Sequence, residues 1–338
     1  MQKNVILTDF LPSSDWEFLQ GILESTGMKW EVLSCTSNQL RTNIWIKLLR
    51  YIRYFSFPWR LFLRRKTFCK VVAWQQFYGL NLAFFERLFR VEKTNDLTVM
   101  TFIYKRKQGI IGTLYFNFIK YCITSKYIDR LVVFTVHEVD YYSKLFQVEE
   151  SKFRCMNLGI SDVSGEYEVS DNGRLLSAGR SNRDYDFLIA SLKDTEISLD
   201  IICDTIDYES NGKIQIYKNI EGKAYYKMLA QCHAVIVPIK DENISSGQLV
   251  ILQSMMMGKP IITTKSCSSD AYLQHGETAL IISNVKWQLL ESINMLYEDT
   301  ELYISMQKNA KEEYRKNYSL LQLGRSVGLI IIGQDKII

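Results

Sequence analysis

Short, largely apolar runs alternating with helix-type runs constrain this chain more than any other feature. In the first half, Asn4–Thr8, Trp30–Ser34, Val71–Trp74, Leu97–Phe102 and Arg130–Val136 read as strands, and Trp16–Thr26 reads as a helix. The second half is more regular. Strands at Arg174–Ala178, Leu199–Cys203, Lys213–Tyr217, Ala234–Ile239, Pro260–Thr264 and Ala279–Ile282 interleave with helices at Asp184–Leu192, Ala224–Cys232, Gln248–Met257 and Lys286–Tyr297. A strand that is apolar on both faces has no solvent side, so it belongs in a parallel sheet covered by helices above and below. A chain of 338 residues has room for two such blocks, each with its own core. The composition places their join near Gly159–Gly173.

Charge divides the chain in the same way. Residues 1–160 carry 23 Lys and Arg against 13 Asp and Glu, a balance of +10, whereas residues 161–338 carry 18 against 24, a balance of −6. The excess is concentrated between Arg41 and Lys70, with nine basic residues, eight aromatics and no acid. Within it, Ile44, Leu48, Tyr51, Ile52 and Phe55 fall on one helical face and Lys47, Arg50 and Arg53 opposite. Pro58 is expected to end that helix, and Trp59 with further arginines follows. Basic residues on one face and aromatics, including Trp45 and Trp59, on the other make an interfacial membrane element. The partner expected from this segment is an anionic membrane surface. Nucleic acid is the competing partner, but no helix-turn-helix, zinc-finger or RNP-type signature accompanies the charge.

Other classes are excluded directly. The seven cysteines are scattered and never form a C-x-x-C pair, which argues against a disulfide scaffold or zinc ribbon and for a reducing compartment. No uncharged run reaches the length of a membrane span, and Asp9 and Asp15 interrupt any signal-type apolar region. The expectation is a cytoplasmic protein, peripheral to the inner face of the cytoplasmic membrane. No carboxylate pair or His/Cys cluster has metal-ligand spacing, so no metal is expected.

One helix carries chemistry. Ser245-Ser246-Gly247 precedes an apolar run that ends at Met257-Gly258, and Pro260 prevents continuation. A helix apolar on nearly all sides is buried beside the sheet. Its free N-terminal amides then lie at the strand ends and favour phosphate.

Two segments around this helix resemble a known family. LLSAGRSNRDYDFLIASL (Leu175–Leu192) and AQCHAVIVPIKDENISSGQLVILQSMMMGKPIITT (Ala230–Thr264), with YLQHGETALII (Tyr272–Ile282) downstream, are similar to the donor domain of retaining GT-B glycosyltransferases, especially glycosyltransferase family 4. The resemblance spans roughly residues 130–318. It implies an α/β chain of two Rossmann-like parallel-sheet domains facing a cleft. Residues 1–160 would bind acceptor and 161–318 a nucleotide-sugar donor, UDP- or GDP-linked, while 319–338 returns toward the first domain. The implied activity is hexosyl transfer with retention, without metal or other cofactor, to a lipid-linked saccharide in cell-surface polysaccharide assembly.

The site residues follow from the same motifs. Arg180 and Arg183 would hold the donor diphosphate together with the amides of Ser246, Gly247 and Gln248. Where the family places two glutamates with seven residues between them, this chain has Ser245 and Gln253. Gln253 would bind ribose hydroxyls, with Ser245 and neighbouring Asn243 near the sugar. Asp204 and Asn219 are expected near the base. The family's N-domain histidine is missing from Met100–Lys105, so no catalytic residue is assigned, and His137 reads as structural. Two rival readings remain: a non-catalytic nucleotide-sugar-binding or membrane-scaffold subunit, and an epimerase or phosphorylase on the same fold. The sugar, base, acceptor and oligomeric state are not legible in the residues.

Overall fold

The computed structural model describes residues 2–36 and 44–334. They form two units, one comprising the chain up to Met156 with Gly324 onward, the other Asn157–Leu323. The Arg41 end of the basic segment, the Lys47 side chain and residues 335–338 of the tail lie outside the described residues.

Unit 1 runs β1 (Lys3–Thr8), α1 (Glu17–Thr26), β2 (Trp30–Ser34), α2 (Ile44–Leu63), β3 (Phe68–Ala73), α3 (Gln76–Leu88), β4 (Asp96–Val99), α4 (Gly109–Ile123), β5 (Arg130–Val133), α5 (Val136–Phe146) and β6 (Phe153–Cys155). Its strands are parallel throughout, in the order β2-β1-β3-β4-β5-β6. Unit 2 runs β7 (Leu175–Ala178), α6 (Tyr185–Leu192), β8 (Leu199–Ile202), β9 (Ile214–Tyr217), α7 (Lys223–Gln231), β10 (Val235–Val237), α8 (Gln248–Met257), β11 (Ile261–Thr264), α9 (Cys267–Tyr272), β12 (Leu280–Ile282), α10 (Lys286–Glu298) and α11 (Thr300–Asn317). Helix α12 (Leu320–Ile331) begins in unit 2 and ends in unit 1. The second sheet is also wholly parallel, in the order β12-β11-β10-β7-β8-β9.

The apolar strands do what their composition demands. In unit 2, Leu176, Val235 and Val237 belong to one core, while their neighbours Leu175, Ala234 and Ile236 belong to another. Adjacent residues of a strand point to opposite faces, so the sheet is covered on both sides.

Three expectations need correction. The strand expected over Leu97–Phe102 ends at Val99, and Thr101 turns the chain with a left-handed φ of 49°. The strand expected over Arg130–Val136 ends at Val133, because Thr135 caps α5 in a capping box with Glu138. The third correction concerns Pro58, which does not end its helix: α2 continues to Leu63. Proline at 58 removes the donor that would serve the Tyr54 carbonyl one turn back. The buried Asn81 of α3 supplies a replacement, its Nδ2 donating to Tyr54 O at 2.8 Å. A tertiary contact thus repairs a local defect.

Helix α2 faces the core through Tyr54, Phe57, Leu61 and Phe62. The stripe of Leu48, Tyr51, Ile52 and Phe55, with Trp45 and Trp59, is its open side. Arg50 and Arg53 are half-buried rather than displayed opposite that stripe, and Arg53 Nη1 donates to Thr36 O at 2.6 Å. Tyr51, Ile52, Phe55, Ser56, Trp59 and Phe85 line a groove of about 510 Å³ on the open side. Among the described residues, no helix is long and apolar enough to cross a membrane.

Candidate functional site

In unit 2 the chain order reverses between β7 and β10. An open parallel sheet binds its ligand beyond the strand C-termini at such a switch point. Here the loop after β7 carries Gly179–Asp184, and the loop after β10 leads through Pro238–Ser246 to Gly247, the N-cap of α8.

Arg183 is the centre of this arrangement. Its Nε donates to Ala178 O at 3.1 Å and its Nη1 to Ser181 O at 2.9 Å. A Cβ added at Gly179 would lie 2.8 Å from Arg183 Nη2, and one at Gly247 would lie 3.8 Å from Nη1. Glycine at 179 therefore gives the guanidinium its place, whereas a Cβ at Gly247 would crowd Val237 and Ile239, at 3.1 and 3.2 Å, in a residue that also holds a φ of 88°. Burial lowers the Arg183 pKa below the usual arginine range. Among the described residues it pairs with no carboxylate. A half-buried cation satisfied only by carbonyls attracts an anion strongly. Gly247 provides no side-chain cap to α8, so the first-turn amides face the same region with the positive end of the helix.

The other expected phosphate ligands are placed differently. Arg180 is 61% exposed and its Nη1 pairs with Asp204 Oδ2 at 3.3 Å. Asp204 Oδ1 also accepts from the Asn219 amide at 2.7 Å, which joins the two expected base-region residues to Arg180. The Ser246 amide, expected to bind phosphate, donates instead to Ser268 Oγ at 3.0 Å. Gln248 Nε2 donates to Ser245 Oγ at 2.7 Å, and Asn243 is exposed and bonded to Asp241. Gln253, expected at the ribose, is only 8% exposed. Its Oε1 accepts from Tyr225 at 3.0 Å and its Nε2 donates to Tyr226 at 3.1 Å. Both ends of the amide are committed to α7, because two phenols there supply the donor and acceptor that a neutral amide needs.

Two organising residues were missed in the sequence. Asn182, at a φ of 55°, donates through Nδ2 to Asp241 O at 2.9 Å and Ser246 Oγ at 3.0 Å, and accepts from the Asp241 amide at 2.9 Å. Ser268 holds the Ser246 amide from α9, which opens with a Ser266/Ser269 capping box. Short polar side chains in a loop look alike in sequence; only the fold selects those that bind another loop. His137 lies in the first turn of α5, stacked on Tyr141 with ring centroids 6.4 Å apart. Among the described residues, no group of three His, Cys, Asp or Glu is placed to hold a metal ion.

Residues 194–313 match the family model of group 1 glycosyl transferases. No curated protein matches the chain in sequence. Solved structures match it along nearly its whole length. Anabaena HepE in complex with UDP-glucose shares 10% identity over 98% of this chain and 99% of that one, with a TM-score of 0.67. The glycosyltransferase from Rickettsia africae ESF-5 shares 12% over 99% and 100%, at 0.64. WaaG, a glycosyltransferase involved in lipopolysaccharide biosynthesis, shares 14% over 97% and 100%, at 0.61. The chain has the GT-B fold. The Arg183 cradle lies just outside the matched segment, and the α8 turn lies inside it.

The Asn182 clamp makes a testable statement about this GT-B chain. Asn182→Gly keeps the left-handed backbone but removes the amide that fixes the 241–246 loop. A net hydrogen bond is worth about 0.5–1.5 kcal/mol, so affinity for a nucleoside diphosphate should fall roughly 2- to 13-fold. Isothermal titration with UDP and GDP measures it; unchanged affinity removes Asn182 from the organisation of the turn.

Proposed function

We propose that this chain is a retaining, metal-independent glycosyltransferase that moves a hexosyl group from a UDP- or GDP-linked donor to a lipid-linked saccharide. The observation that carries the reading is Arg183, a half-buried guanidinium with no carboxylate partner among the described residues, set beside the uncapped N-terminus of α8. Cleavage of a nucleotide sugar builds negative charge on the departing diphosphate. Fixed cations and helix-end amides stabilise that charge without reorganising. Arg180 would approach once the donor competes for its exposed pair with Asp204. The match of residues 194–313 to group 1 glycosyl transferases and the UDP-glucose in HepE support a nucleotide-sugar donor. The role of WaaG in lipopolysaccharide biosynthesis supports a cell-surface saccharide as acceptor.

The open aromatic side of α2 supports a peripheral place at the inner face of the cytoplasmic membrane, where such an acceptor is held. In unit 1, the switch point between β1 and β3 brings Asp9 to Gln75, whose Nε2 donates to Asp9 Oδ2 at 2.9 Å. Phe10 and Trp74 stand beside it, their ring centroids 6.0 Å apart. These residues are the proposed floor for the acceptor.

A thermal-shift series with UDP, GDP, CMP and dTDP tests the donor assignment. A true ligand at 100 times its Kd stabilises by about 2.7 kcal/mol. A flat response to all four would sink the donor site. The neutral pair Ser245 and Gln253 favours a second reading, a subunit that binds the donor without turning it over. Release of free nucleotide from UDP- or GDP-sugar in the presence of the native lipid fraction, with a chelator present, decides between them.

A further inference from the structure

We propose that a basic pocket where α3 and α4 end binds the phosphate of an anionic lipid headgroup. The pocket measures about 540 Å³ and no acidic side chain lines it; Arg87, Arg90 and Lys126 supply the charge, with Tyr121 and Thr124 beside them. Arg87 is pre-positioned. Its Nη1 donates to the Tyr121 carbonyl and to Thr124 Oγ1, and its guanidinium lies 4.2 Å from the Tyr121 ring centroid. Arg90 sits just past the end of α3 in a left-handed conformation, φ 51°, which a non-glycine residue adopts only where its surroundings demand it. Lys126 stands 5.5 Å from the Tyr127 ring centroid. Among the described residues none of these three cations has an ion pair: neighbouring Asp129 is held by Lys93, and buried Glu86 accepts from Asn95 Nδ2 at 2.9 Å. Neighbouring Lys152 has its pKa lowered by burial and by repulsion from Lys93 and Arg87.

The lipid source is favoured by what adjoins the pocket. Between Arg87 and Arg90, Leu88 and Phe89 are each 52% exposed. Phe89 stacks on Phe62 at 5.3 Å and approaches Trp59 at 5.7 Å, so the apolar ridge continues into the open side of α2. Leu63 extends the same ridge into solvent. A soluble phosphate has no use for an apolar border, whereas a phospholipid needs cations at its headgroup and apolar side chains beneath. The pocket goes beyond the α2 surface in the functional reading and is independent of the donor turn, which lies in the other unit.

The test uses the full chain and co-sedimentation with vesicles of phosphatidylcholine, with and without phosphatidylglycerol. Arg90→Glu/Lys126→Glu reverses two exposed charges and leaves the contacts of Arg87 in place. Loss of binding to phosphatidylglycerol vesicles by about 10-fold or more, with UDP binding unchanged, supports the site. Wild-type sedimentation of that variant overturns it. An equal loss in Lys193→Glu/Lys227→Glu, two exposed lysines of unit 2, also overturns it, because general charge alone would then suffice. If glycerol 3-phosphate binds the wild type and not the variant while no vesicle sediments either protein, the pocket takes soluble phosphate and the lipid assignment fails.

Discussion

Arg183→Ala is expected to weaken nucleoside-diphosphate binding by roughly 10- to 150-fold, the equivalent of about 1.5–3 kcal/mol for a charge-assisted hydrogen bond. The size follows from its setting. The guanidinium is half-buried, donates to Ala178 O and Ser181 O, and has no carboxylate to offset its charge among the described residues. A bound diphosphate would supply the missing counter-charge in a site partly shielded from water. Arg180→Ala should cost less, because Arg180 is mostly exposed and already paired with Asp204. Arg183→Lys should recover only part of the loss, since a point charge cannot reproduce a planar fork. Titration with UDP, GDP and the corresponding nucleosides measures each effect. Nucleoside affinity should barely change. Equal losses for Arg180→Ala and Arg183→Ala would show that burial does not set the order, and an unaffected Arg183→Ala would remove the residue from the site.

The largest structural effect is expected at Gly324. Helix α12 meets α1 so closely that a Cβ at Gly324 would stand 2.2 Å from the Phe18 carbonyl oxygen and 3.1 Å from Gly21 Cα. One turn on, a Cβ at Gly328 would reach 1.9 Å from Ser25 Oγ. Backbone opposes the added atoms at Gly324, so no rotamer relieves the clash. Gly324→Val must push the helices apart and lose the Arg325–Glu24 ion pair, whose Nε to Oε2 distance is 2.8 Å. Overpacking of this kind costs about 1–3 kcal/mol or more. For a unit of this size each kcal/mol lowers the midpoint by roughly 2–4 °C. The unfolding transition of unit 1 should therefore fall by about 2–12 °C, while Leu329→Ala, on the more open side of α12, should leave it nearly unchanged. Calorimetry resolves the outcome, and a Gly324→Val transition at the wild-type temperature would mean the two helices do not pack this way in solution.

What the sequence determined by itself was the class of fold and the limits of the helix on which the proposed site stands. Largely apolar strands between helices point to a doubly covered parallel sheet, and both sheets are parallel throughout. The limits of α8, Gln248–Met257, were legible because Gly247, Gly258 and Pro260 act locally on backbone torsions and hydrogen bonding. Partners distant in the chain were not legible locally. Pro58 reads as a helix end, yet Asn81, 27 positions from the carbonyl it serves, keeps α2 intact. Gln253 reads as a ribose ligand from its place in a motif, yet Tyr225 and Tyr226 occupy its amide. In sequence Arg180 reads as the main diphosphate ligand and Arg183, three residues on, as an added charge. The fold separates them, pairing one with Asp204 in solvent and half-burying the other against Gly179. Residue type sets which bonds a side chain can make, whereas the tertiary structure decides which of its partners arrive first and how much water remains.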